Sequence, residues 1–68
     1  MSIHYSARGE RGLYTITREI AGGGFFLNLN GFCLAHMYGV RLSTARATAH
    51  RHNGGTLDWV DEVKLRYS

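Results

Sequence analysis

Proline is absent from this 68-residue chain, lysine occurs once (Lys64), and cysteine occurs once (Cys33). Without proline, the turns fall to the nine glycines. A single cysteine excludes an intramolecular disulfide framework and fits a reducing compartment. No apolar run has the length to span a bilayer, and no basic-then-apolar leader opens the chain. The expectation is a cytoplasmic protein with no membrane contact. A chain this short forms one domain and is only marginally stable alone.

Hydrophobic residues make up 44% of the chain and include eight aromatics, enough for a compact core rather than disorder. The net charge of +3 is unevenly placed. Arg8, Arg11, Arg18, Arg41, Arg46 and Arg51 outweigh Glu10 and Glu19 up to Thr56, whereas Asp58, Asp61 and Glu62 outweigh Lys64 and Arg66 beyond it. Arginine's planar fork suits phosphate, carboxylate and interface contacts better than lysine does.

The strongest local signal is Asn30-Gly31, which separates Phe25–Leu29 from Phe32–His36. A two-residue type I′ turn needs positive φ at both central positions, which Asn-Gly supplies. An unbroken register from that turn sets Leu29 against Phe32, Leu27 against Leu34 and Phe25 against His36. These six share one face as core. Phe26, Asn28, Cys33, Ala35 and Met37 take the other. Upstream, Ile3–Ala7 and Leu13–Ile20 alternate as strands, the first ended by a turn over Arg8–Gly12, and Ala21–Gly24 closes a hairpin into the Phe25 strand.

Ser43 has the chemistry of an N-cap, Thr44–His52 reads as a helix, and Asn53-Gly54-Gly55 stops it. Helical spacing puts Ala45, Thr48, Ala49 and His52 on one face and turns Arg46, His50 and Arg51 elsewhere. Alanines suit close docking on the sheet, with Val40 and Leu42 at its edge. Val63–Tyr67 reads as a final strand, and Leu57–Glu62 fits either a strand or a short helical turn. The expected fold is α+β: a three- to four-stranded antiparallel meander with one helix packed on one face.

Several constellations carry chemistry on paper. Cys33-x2-His36 followed by His50-x-His52 has zinc-ligand residue types. The unbroken register projects Cys33 and His36 to opposite faces, and His50 and His52 lie about 200° apart on a helix, so neither a metal nor a cofactor is expected. His36 is instead expected to pack beside Phe25 with one ring nitrogen bonded to backbone. Gly22-Gly23-Gly24 lacks the Lys-Ser/Thr of a phosphate loop and opens a strand, which suits a flexible hairpin loop. Its run into Phe25–Leu29 resembles an RNA-recognition octamer but lacks the basic first residue. No spacing pairs Cys33 or Ser43 with a base, so no enzyme is expected. What remains is a basic stripe of Arg41, Arg46, His50 and Arg51, with Arg18, Phe26 and Tyr38 as further partner-binding candidates. Tyr5, Tyr14, Phe26 and Tyr38 are the candidate exposed aromatics, a composition enriched in binding hot spots.

The order strand, strand, strand, helix, with the helix Ser-Thr-Ala-Arg-Ala-Thr-Ala, resembles two groups over Leu13–Asn53. One is the small phage and mobile-element proteins that include many anti-CRISPR inhibitors. That resemblance implies a non-enzymatic protein that binds a protein partner, a CRISPR effector complex among the candidates. The other is the three-stranded-sheet-plus-helix DNA-binding domains of plant transcription factors and integrase arms. It implies nucleic-acid binding with Tyr14–Arg18 and Phe26–Asn30 as reading strands. A third reading is a homodimer formed through the Phe26–Ala35–Met37 face or an edge strand.

Overall fold

The computed structural model describes residues 4–18 and 23–61. They form β1 (His4–Gly9), β2 (Gly12–Arg18), β3 (Phe25–Leu29), β4 (Phe32–Met37), α1 (Leu42–Asn53) and β5 (Val60–Asp61). All pairings are antiparallel, in the order β4-β3-β2-β1-β5. The α+β meander with one helix is as expected, but the sheet has five strands rather than three or four. The extra strand, Val60–Asp61, lies beside Tyr5 and Ser6 of β1. The strand expected over Val63–Tyr67, like Ile3, Glu19–Ile20 and Ala21–Gly22, lies outside the described residues. Among the described residues, no helix is long and apolar enough to cross a membrane.

Two hairpins build the meander. In the first, Gly9 pairs with Gly12 around Glu10-Arg11. In the second, Asn30 (φ 51°) and Gly31 (φ 86°) both take positive φ, as the Asn-Gly pair requires. Asn30 also links the two hairpins. Its backbone N–H donates to Leu13 O at 2.9 Å, and its Oδ1 accepts from Leu13 N at 3.0 Å.

The second hairpin does not keep the expected register. Leu29 pairs with Phe32 and Asn28 with Cys33, but Leu27 then pairs with Ala35, Phe26 with His36 and Phe25 with Met37. A β-bulge makes Leu34 the extra residue, and beyond it the strand is offset by one. One slipped residue exchanges the two faces of everything that follows. Ala35 and Met37 therefore join the inner face and His36 the outer face. Phe32 and Leu34, expected in the core, are 77% and 40% exposed. The bulge also brings Cys33 and His36 onto the same face, correcting the argument that separated them.

The core is Ala7, Tyr14, Ile16, Phe25 and Leu27 from the sheet, Ala45 and Ala49 from α1, and Leu57 from the segment before β5. Val40 and Leu42 pack against it as expected. Tyr14, proposed above as an exposed aromatic, is fully buried. Two alanines one turn apart leave no side chain beyond a methyl between helix and sheet.

The helix starts earlier than its capping signal suggested. Arg41 occupies the N-cap without a side-chain cap bond, so Ser43 is not the cap but a residue of the first turn. Its end follows the glycine signal. Gly54 adopts φ 81°, its N–H bonds Arg51 O at 3.3 Å, and Gly55 N bonds His50 O at 3.1 Å. Those two bonds form a Schellman motif, which satisfies carbonyls that the helix itself leaves open.

Candidate protein-binding surface

The helix covers the Tyr14–Ile16–Phe25–Leu27 face of the sheet, so the outward-pointing residues of the strands form the opposite face. Strand pairing sets them in rows. One row runs His36, Phe26, Thr17 and His4 across β4 to β1; the next runs Cys33, Asn28, Thr15 and Ser6. Phe26 and His36 stack with ring centroids 3.9 Å apart and planes 14° from parallel. Tyr38, immediately after β4, continues the array at 4.2 Å from His36 with a 50° tilt. Tyr38 is 59% exposed and His36 is exposed, while Phe26 is half-buried. His36 is thus a stacked residue of the outer face rather than a packed neighbour of Phe25.

Gly24 makes room for this array. A Cβ there would stand 2.9 Å from the backbone O of Met37 and 3.0 Å from Tyr38 Cδ1. The residue thus allows the start of β3 to lie against the end of β4 with the Tyr38 ring over it.

The arginine candidates divide. Arg18, Arg41 and Arg51 are exposed. Arg46 is half-buried, with its guanidinium carbon 4.9 Å from the Tyr5 ring centroid. That is cation–π distance, and it ties Arg46 to β1. His50 is also half-buried and accepts from the Trp59 indole N–H at Nε2, 2.9 Å away. The expected outward stripe therefore keeps Arg41 and Arg51 as exposed charges, while Arg46 and His50 hold neighbouring elements to the helix. His52 makes a third such contact, Nδ1 to the buried Tyr14 hydroxyl at 2.7 Å. Of the seven partner-binding candidates, Phe26 and Tyr38 are brought together, through His36.

His36, Phe32 and Leu34 were not among the candidates, since the unbroken register assigned all three to the core. The bulge that releases Leu34 and His36 has no glycine or proline to announce it, while Phe32, ahead of it, keeps its expected partner Leu29 and is exposed all the same. Among the described residues, no three His, Cys, Asp or Glu side chains converge where they could hold a metal ion. A polar groove of about 520 Å³ runs between Arg8–Glu10 and Asn53–Leu57. Asn53 shapes it, accepting from Glu10 N at 3.1 Å through Oδ1 and donating to Gly55 O at 3.2 Å through Nδ2. Its lining holds no cysteine, histidine or serine.

No protein family, curated protein or solved structure matches the chain.

Proposed function

We propose that this chain is a small non-enzymatic binding protein of the phage-inhibitor type. It occupies an assembly or nucleic-acid-binding surface on a subunit of a bacterial complex, a CRISPR effector being the first partner to test. The contact surface is the Phe26–His36–Tyr38 corner of the sheet face opposite the helix. The observation that carries this reading is the stacked array itself. Aromatic rings already held by one another lose little side-chain freedom on binding, and tyrosine is among the residues enriched at hot spots.

The test is capture of purified CRISPR effector complexes by the tagged protein, with Tyr38→Ala and Phe26→Ala alongside. The expected result is stoichiometric retention of one effector subunit, weakened at least tenfold by Tyr38→Ala. Retention of none, or retention indifferent to both substitutions, removes the proposal.

A second reading has one observation in its favour. Thr15, Thr17 and Asn28 lie side by side on the sheet face opposite the helix, where hydrogen-bonding side chains could follow a nucleic-acid backbone. It requires affinity for DNA or RNA that falls steeply with salt as counterions are released. A flat mobility-shift response at low salt rules it out.

A further inference from the structure

We infer that β4 is a self-association edge, pairing antiparallel with β4 of a second copy about a twofold axis. No described strand pairs with the outer side of β4, which ends the sheet. Edge strands are ordinarily protected by lysine, proline or an inward-pointing charge. Phe32-Cys33-Leu34-Ala35-His36-Met37 has none of these. Its one irregularity is the bulge, and the extra residue there is the half-exposed Leu34 rather than a charge. The other end of the sheet is β5, two residues long and bearing Asp61.

The occupant follows from charge and register. In a chain of net charge +3, β4 is a strand without formal charge, so two copies can meet there without direct repulsion. Antiparallel pairing sends the two Arg41 residues to opposite ends of the contact. A twofold axis between Leu34 and Ala35 also matches the faces. Phe32 then meets Met37 of the second copy on the inner face, and Cys33 meets His36 of that copy on the outer face. Each contact occurs twice, as an isologous interface requires. The exposed Phe32 ring gains an apolar neighbour, and the two aromatic corners come to lie on one continuous outer face. One six-residue strand is small beside stable dimer interfaces, so the association is weak and concentration-dependent. It does not depend on the proposed function, whose test substitutes Phe26 and Tyr38 instead.

Sedimentation equilibrium of the full chain, reduced and at neutral pH, decides it. The expected result is a monomer at low micromolar concentration moving toward a dimer as concentration rises towards millimolar. Leu34→Lys and, separately, the more exposed Phe32→Lys should remain monomeric over the same range, with unchanged circular dichroism. A wild-type chain that stays monomeric throughout overturns the inference, and leaves the edge to a strand of another protein. A dimer that persists in a folded lysine variant overturns it equally. A short bis-maleimide, reacting only at Cys33, should yield cross-linked dimer from the wild type at high concentration and none from Leu34→Lys.

Discussion

Trp59 donates its indole N–H to Nε2 of His50 over 2.9 Å, and this bond ties the segment leading to β5 onto the last turns of the helix. Indole nitrogen only donates, so His50 must present an unprotonated Nε2.

Losing the bond costs about 1 kcal/mol. Trp59 is the sole tryptophan, so its fluorescence reports the contact. His50→Ala, which removes the acceptor, should shift Trp59 emission and lower stability to urea by about that amount, whereas His50→Gln, which retains an acceptor, should lose less. Unchanged emission and stability in His50→Ala would show that the bond does not hold the segment to the helix.

Asn30 combines a turn conformation with a link between hairpins, and the two roles can be separated. Asn30→Gly keeps the positive φ but removes the acceptor for Leu13 N; Asn30→Ala loses both. The expected cost is about 1 kcal/mol for the glycine variant and about 2 kcal/mol for alanine, from a lost hydrogen bond and a left-handed alanine. Urea denaturation measures both. Equal losses in the two variants would mean that turn strain contributes nothing.

The legible part of this fold was the part written in local chemistry. Asn30-Gly31 announced its turn, Gly54 its helix end, and Ala45 and Ala49 the docking face. The illegible part was one residue of register. Leu34 is apolar, flanked by apolar residues, and nothing in its neighbourhood distinguishes a bulged position from a paired one. Yet that single offset moved Ala35 and Met37 inward and His36 outward, and brought His36 between Phe26 and Tyr38. The candidate site was half legible for the same reason: Phe26 precedes the bulge in the hairpin and kept its face. Arg46 and His50 were misread as solvent-facing for another reason. Their partners, Tyr5 and Trp59, come from distant or irregular segments that helical periodicity does not register.

Ala45 and Ala49 are fully buried beneath the sheet. Enlarging either must separate helix and sheet or strain them, at about 1–3 kcal/mol. Ala49→Leu should lower the urea midpoint accordingly, whereas Ala47→Leu, on the exposed side of the same helix, should change it by less than about 0.5 kcal/mol. Similar effects at the two positions would argue that the helix does not dock by its alanine face.

Gly24 offers the sharpest probe of the aromatic corner, because the residue touches it without belonging to it. A methyl group there meets the Met37 carbonyl at 2.9 Å and the Tyr38 ring at 3.0 and 3.1 Å. The carbonyl is backbone and cannot swing aside, while the ring sits on a rotatable side chain. The ring therefore moves first, and the end of β4 gives by whatever remains. Gly24→Ala should leave the protein folded, destabilised by about 1–2 kcal/mol, within the range for overpacking. It should also displace Tyr38 from His36, which NMR detects as altered ring-current shifts on the His36 imidazole protons. Partner retention in the capture assay should fall with that displacement, even though Phe26, His36 and Tyr38 are all still present. Unchanged His36 shifts in Gly24→Ala would show that Tyr38 is held by something other than the space the glycine leaves.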